Sequence, residues 1–212
     1  INGMIYMRGQ ARDYDDWARA CGDDTWRWEE CLPHFKAHED HWRGASPAHG
    51  AAGFDPTGAR SGGEWRVEKQ RLRWDILDAW AEAAVQAGIE RTADFNTGNN
   101  AGVGYFEVNQ RRGWRWNTTK AFLQPALARG DNLQVWTDSP VVHLNFERGA
   151  QGLRCTGAQV RTPQGLVQVS ARHEVLLCSG AIGTPALLQR SGVGPAALLQ
   201  QHGITVQHEM PG

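Results

Sequence analysis

Strong net charge and long apolar runs are both missing from this 212-residue chain. Lysine and arginine together number 22, and aspartate and glutamate 23, which leaves a formal net charge of −1. A near-neutral chain gives no electrostatic basis for binding nucleic acid or an anionic membrane. No apolar stretch approaches the roughly 20 residues of a membrane-spanning helix, and residues 1–212 show no signal-peptide pattern.

Cysteine is scarce, and no pair has the C-x-x-C spacing. Cys21, Cys31, Cys155 and Cys178 lie far apart, which predicts free and mostly buried thiols rather than a disulfide framework. Free thiols favour a cytoplasmic protein, with a targeting segment ahead of Ile1 left open as an alternative.

Familiar catalytic and metal-binding motifs are missing too. Neither the G-x-S-x-G of serine hydrolases nor a P-loop occurs, which argues against acyl transfer and nucleotide hydrolysis. Cys31, His34, His38 and His41 suggest zinc, but their spacing is not that of a zinc finger. We therefore expect solvated histidines here and no metal.

Helical patterns fill much of the first half. Residues 13–20 predict a helix with Asp13 as its N-cap and Gly22 just past its end. Residues 28–38 predict a second helix, and residues 70–87 show the strongest helical period in the chain. The residues expected to form the buried face of this third helix are Leu72, Ile76, Trp80, Ala83 and Ala87.

Two features of the first half allow more than one interpretation. Residues 42–63 are rich in glycine, alanine, serine and proline, which predicts either an active-site lid or a plain surface loop. Arg8 is expected to pair with a local carboxylate such as Asp13 or Asp15. The ten tryptophans are expected mostly in the core or at interfaces.

The second half changes to a period of two. Four short strands joined by turns predict an antiparallel meander; they cover residues 133–137, 141–147, 157–162 and 166–171. The apolar residues 174–178 predict a buried strand after the meander. The fold class is therefore α+β, with a helical, loop-rich first half and a meander plus a strand–turn–helix in the second.

The most informative segment is residues 180–194, which read GAIGTPALLQRSGVG. Thr184 and Pro185 predict a helix start, and Gly192 predicts its end. The small residues Ser179, Gly180 and Ala181, placed at the end of a strand, leave main-chain amides open to an anion such as a pyrophosphate.

This segment resembles the second signature of the glucose-methanol-choline (GMC) family of flavin-dependent alcohol oxidoreductases. Other segments of the chain resemble the same family in the same order, so the resemblance covers nearly the whole chain. They are INGMIYMRG at residues 1–9, DYDDW at 13–17, GVGY at 102–105, RGWRWNTTKAFL at 112–123 and NLQV at 132–135. Asn117 replaces the serine that choline-dehydrogenase-like members carry.

The resemblance implies FAD as the cofactor and assigns residues to it. Asn2 and Gly3 would lie near the isoalloxazine, the main chain of Val141 would pair with adenine, and residues 179–181 would approach the ribose and pyrophosphate. Ile1 stands where some members carry a histidine that is joined to FAD, so noncovalent flavin is expected.

The resemblance also implies that parts of the enzyme lie elsewhere. Family members begin with a G-x-G-x-x-G nucleotide-binding unit and carry a catalytic histidine near the carboxyl terminus, and neither is found here. We therefore expect an interior fragment of a two-domain flavoprotein, with no catalytic residue of its own, which is inactive and binds flavin weakly or not at all when isolated.

Three portions are expected from the resemblance. Residues 1–40 would be flavin-proximal, residues 41–130 would belong to the substrate-side domain, and residues 131–212 to the FAD domain. The whole protein would oxidise a primary alcohol, choline-like or other, to an aldehyde by hydride transfer to flavin N5, and pass the electrons to an unknown acceptor. A non-enzymatic α+β interaction module and a GMC-related lyase remain alternatives.

Overall fold

Helices and small sheets alternate along the chain. The computed structural model describes residues 3–52, 63–130, 132–150 and 152–211, and its mixed α+β architecture confirms the predicted class. The chain divides into two compact units, Ile1–Leu133 and Gln134–Gly212, which are considered separately. Much of the predicted lid or loop lies outside the described residues.

The first unit carries the three helices that the sequence predicts and a fourth, short one. Its α-helices are α1 (Ala11–Cys21), α2 (Trp28–His38), α3 (Asp75–Gln86) and α4 (Gln124–Arg129). A 3₁₀ turn, Asp24–Trp26, precedes α2, and a π-helical turn, Thr119–Leu123, precedes α4. Asp13 is not the N-cap of α1: it lies in the first turn and accepts a hydrogen bond from the amide of Gln10 at 2.9 Å.

The predicted buried face of the third helix is wrong. Leu72 precedes α3, and Ile76 and Trp80 are 69% and 67% exposed, whereas the buried residue of this helix is Ala81. The apolar stripe exists, but among the described residues nothing covers it. Periodicity reports that a helix has an apolar face and does not report what packs on it.

Short strands tie the first unit together. β1 (Glu39–His41) pairs in parallel with β2 (Trp65–Lys69), which pairs antiparallel with β3 (Glu107–Val108). β4 (Gln110–Arg111) and β5 (Trp114–Arg115) form a hairpin. Its two turn residues, Arg112 and Gly113, have φ of 53° and 85°, as a type I′ turn requires.

The antiparallel meander of the second unit is confirmed for three of its four predicted strands. β6 (Val141–Gly149), β7 (Gly152–Thr162) and β8 (Gly165–Ser170) lie in that order. Further along are α5 (Gly180–Arg190), β9 (Val193–Gly194), α6 (Ala196–Gln201) and β10 (His208–Glu209), with β9 and β10 parallel. The buried apolar residues of this unit are Leu144, Val160, Leu187, Val193 and Leu199.

Two strand predictions fail. Residues 133–137 and 174–178 form no strand, and Leu176 is 76% exposed. A strand needs a neighbour that accepts its backbone hydrogen bonds, and the described residues offer none to either segment.

Two further expectations concern side chains and helix length. The cysteines are free but not mostly buried, because Cys21 and Cys178 are exposed. Among the described residues, no helix is both long and apolar enough to cross a membrane.

Candidate functional site

The glycine turn at the start of α5 exposes its main chain. Ser179 is the N-cap residue, its side chain makes no capping hydrogen bond, and Gly180 has a φ of 80°. Ser179, Gly180 and Ala181 are all exposed, and a Cβ on Gly180 would meet no atom within 4 Å. The first amides of a helix have no acceptor inside the helix. The amides of Gly180 and Ala181 are therefore accessible to an anion.

The sequence predicted that Thr184 and Pro185 start the helix, and this prediction is wrong. α5 begins one turn earlier, at Gly180, and the hydroxyl of Thr184 accepts a hydrogen bond from the amide of Ser179 at 3.1 Å. Pro185 lies inside the helix and removes one N–H donor there. Gly192, with a φ of 90°, follows the helix end as predicted.

Val141 begins the edge strand of the meander. β6 pairs with β7 on one side, and among the described residues no strand lies on the other. The hydroxyl of Ser191, at the end of α5, accepts a hydrogen bond from the amide of Leu144 at 2.9 Å. This bond ties α5 to β6, so Val141 and the glycine turn belong to two elements that pack together.

Gly3 lies in the first unit and is also open. It is exposed, and a Cβ there would meet nothing within 4 Å. Asn2, its predicted partner near the flavin, lies outside the described residues. Met4, the residue that follows Gly3 in the chain, lines a pocket of about 170 Å³. Side chains that line it include Trp65, Asn109, Trp116, Asn117 and Thr118.

Met4 adopts an unusual backbone conformation at this pocket. Its φ is 70°, which costs a residue with a Cβ on the order of 1 kcal/mol or more. Its carbonyl accepts a hydrogen bond from the amide of Asn109 at 2.8 Å, and Ile5 forms a bridge with Val108. These backbone contacts therefore hold Met4 in this conformation. They also fix the direction of the backbone at Gly3.

A buried polar network begins at Arg8, in the same amino-terminal segment. The sequence analysis did not predict this network. The guanidinium of Arg8 contacts Glu39 at 2.6 Å, with both side chains almost fully buried. His49 bonds Glu39 at 3.1 Å through Nδ1 and Asp94 at 2.8 Å through Nε2. Every buried side-chain polar atom among the described residues has a hydrogen-bond partner.

Burial and pairing act in opposite directions on the pKa values of this network. Burial alone would lower the pKa of His49, but its hydrogen bonds to the carboxylates of Asp94 and Glu39 raise it to about 9. Burial alone would raise the pKa of Asp94, but its bonds to His49 and to the amide of Asn96 lower it to about 2. The pKa of Glu39 is likewise lowered against its burial, by His49 and Arg8.

Two sequence predictions are corrected by this network. Arg8 pairs with Glu39 rather than with Asp13 or Asp15. His41 is buried and bonds Glu107 at 2.9 Å, so it is not a solvated surface histidine. Partners that lie tens of positions apart leave no spacing pattern in a single sequence.

The family assignment follows from the chain as a whole. Residues 1–205 match the family model described as GMC oxidoreductase. The chain belongs to the GMC oxidoreductase family. The expected resemblance is thereby confirmed, on nearly the full length of the chain.

Relatives and solved structures agree with membership of the GMC family. The chain is 37% identical to an oxygen-dependent choline dehydrogenase of Serratia proteamaculans and 36% identical to a chloroplastic fatty acid photodecarboxylase of Chlamydomonas reinhardtii. Both alignments cover all of this chain, but 36% and 33% of the relatives. Pyridoxine 4-oxidase from "Mesorbium loti" matches with a TM-score of 0.85 at 34% identity, over 99% of this chain and 38% of that one.

The GMC chain thus spans about a third of the length of its relatives. A further structure, an FAD-dependent oxidoreductase from Chaetomium thermophilum, matches at 26% identity with a TM-score of 0.78, over 100% of this chain and 36% of that one. The cofactor roles assigned to Asn2, Gly3, Val141 and residues 179–181 of this GMC chain stay predictions.

Proposed function

We propose that the whole protein is an FAD-dependent oxidoreductase that oxidises a primary alcohol to an aldehyde. The observation that carries the proposal is the GMC family match over residues 1–205. Relatives named choline dehydrogenase and a structure named pyridoxine 4-oxidase support the reaction class. The family match favours this enzyme over a non-enzymatic interaction module.

The residues of the second unit fit part of a dinucleotide. The exposed amides of Gly180 and Ala181 would bind the pyrophosphate, with Ser179 beside the ribose. The main chain of Val141, on the edge strand, would pair with adenine. These contacts use the main chain, so the side chains need only be small or point away.

In the first unit, Gly3 would approach the isoalloxazine through its exposed main chain. Asn2 would add a polar group next to it. Ile1 has no nucleophile, so the flavin would be noncovalent. The bound flavin supplies a hydride acceptor, and the base that takes the alcohol proton would lie outside residues 1–212.

A second candidate reaction is the decarboxylation of a fatty acid. It rests on the photodecarboxylase of Chlamydomonas reinhardtii, whose 36% identity nearly equals that of the choline dehydrogenases. The two candidates differ in their substrate and in their need for light. Alcohol added in the dark without oxygen would reduce the flavin under the first candidate only, and illumination would release carbon dioxide from a fatty acid under the second only.

Ala181 offers a test of the cofactor site that leaves the helix intact. Ala181→Asp places a carboxylate at the start of α5, where the helix dipole favours it, yet beside the proposed pyrophosphate. We expect the purified whole protein to retain about tenfold less flavin, because two like charges meet at close range. Flavin released by heat is measured against protein concentration.

Ala181→Asn is the matched control, since it has nearly the same shape without the charge. It should retain flavin close to the wild-type ratio. If both variants fold and contain equal amounts of flavin, the pyrophosphate does not bind at this turn.

A further inference from the structure

The charged side chains around His49 indicate a structural role for this residue that needs no cofactor. Three buried or largely buried carboxylates, Glu39, Asp94 and Glu107, meet in the first unit. Two guanidinium groups face them: Arg8 contacts Glu39 at 2.6 Å, and Arg43 contacts Glu107 at 3.3 Å. Arginine and carboxylate charges alone therefore leave one negative charge uncompensated.

We propose that His49 is held as a buried imidazolium at neutral pH. In this form it links separate segments of the first unit, because Nδ1 donates to Glu39 and Nε2 donates to Asp94. Glu39 opens β1, His49 lies in the loop that follows β1, and Asp94 lies between α3 and β3. The single positive charge balances the cluster.

Hydrogen-bond chemistry requires the second proton. Nδ1 of His49 lies 3.2 and 3.1 Å from the two carboxylate oxygens of Glu39, and Nε2 lies 2.8 Å from Asp94. A neutral imidazole has one N–H and one lone pair, so one of its nitrogens would direct a lone pair at a carboxylate. The side chain of His49 is 4% exposed, which leaves water little access to relieve that repulsion.

The other groups that face the ring of His49 are His41 and Arg8. The ring of His41 stacks on it, with centroids 3.7 Å apart. Nε2 of His41 lies 2.9 Å from Glu107, and its Nδ1 faces the amide of Arg43 at 3.4 Å, so His41 needs one ring proton only. Nη2 of Arg8 lies 3.5 Å from Nδ1 of His49, farther than the Glu39 oxygens.

The same charges argue against a metal ion in this cluster. Glu39, His41 and His49 bring ligand atoms within 4.8 Å of one another. Their atoms already bond within the protein, and Glu39 also accepts the amide of Gly50 at 2.8 Å. A divalent ion beside Arg8 would exceed the one positive charge that the cluster lacks.

The inference predicts a pH dependence of definite sign. Pairing raises the pKa of His49 to about 9, above the roughly 6.5 of an unfolded histidine. The stabilisation is therefore complete below about pH 6.5 and is lost as the pH rises to about 9. Over that range the unfolding equilibrium constant should increase on the order of 100-fold more in the wild type than in His49→Gln.

Nitrogen NMR of the imidazole rings tests the protonation state directly. In the whole protein at about pH 8, ordinary histidines are neutral, and we expect His49 to show two protonated ring nitrogens. The signal should vanish in His49→Gln and persist in His34→Gln, which removes an exposed histidine. A chain in which no histidine is doubly protonated at this pH would overturn the proposal.

Asp94→Asn keeps the test decisive if His49→Gln does not fold. It retains the shape of the partner and removes its charge, so the doubly protonated signal should titrate at least about one pH unit lower. An unchanged titration midpoint would contradict the proposed link between His49 and Asp94. Zn²⁺ added alone should leave the signal as it is, and replacement of a ring proton by Zn²⁺ would show that the cluster is a metal site instead.

Discussion

Asn96 fastens the amino-terminal segment of the first unit with both ends of its side-chain amide. Its oxygen accepts a hydrogen bond from the amide of Arg8 at 2.9 Å, and its nitrogen donates to the carbonyl of Tyr6 at 3.2 Å. Asn96 is 1% exposed, so water has little access to these backbone groups. The segment that leads back to Gly3 is thus held by a residue 88 positions away from Arg8.

Replacing Asn96 by alanine should therefore be costly. Two buried backbone groups lose their partners, and we expect the free energy of unfolding to fall by about 3 kcal/mol. Urea unfolding measures the change. Asn99→Ala, at an exposed position close by, serves as the control and should cost much less; equal losses would mean that Asn96 has no special role.

At the residue scale, the sequence predicted open main chain better than it predicted partners. Gly3 and Gly180 are exposed, because small residues in a turn leave the backbone uncovered. Arg8 and His41 were assigned wrong surroundings. Their partners, Glu39 and Glu107, come from other elements, and only the folded chain brings them together.

At the scale of elements, local signals sufficed where the chain is locally determined. The bounds of α2 agree with the sequence pattern, and so does the antiparallel order of the last three predicted strands of the meander. The helix start at Thr184 failed because the Thr184 hydroxyl bonds the amide of Ser179 from inside the helix. The strand over residues 174–178 failed because strand formation depends on a partner, which a single segment does not specify.

Gly157 is the point in the meander where the element tolerates no side chain. A Cβ there would lie 2.0 Å from the carbonyl oxygen of Val169 on β8. We expect Gly157→Ala to lower the stability of the second unit by about 3 kcal/mol, because β7 and β8 must separate to admit the methyl group.

Gly149→Ala is the control in the same sheet, since a Cβ at Gly149 meets nothing within 4 Å. Thermal unfolding followed by far-ultraviolet circular dichroism compares the two variants. Similar midpoints would show that β7 and β8 are not packed as closely as the structure indicates.

At the scale of the whole molecule, the exposed apolar surface is large for a chain of this size. Trp74, Ile76, Leu77 and Trp80, in and next to α3, are all at least 40% exposed. Exposed apolar faces of this kind usually mark contacts with other protein. Because the chain spans about a third of its relatives, we expect the face to be covered within the whole protein.

The proposed function also predicts how residues 1–212 behave when they are purified alone. Residues 1–212 would supply part of the flavin contacts and no catalytic base. We therefore expect the purified chain to retain little or no flavin, measured by its visible absorption, and to oxidise no alcohol.

The visible absorption spectrum of the whole protein tests the central claim most directly. Our account predicts a bound flavin whose absorption band bleaches when a primary alcohol is added without oxygen. A whole protein that folds correctly yet remains colourless, even when supplied with FAD, would contradict it.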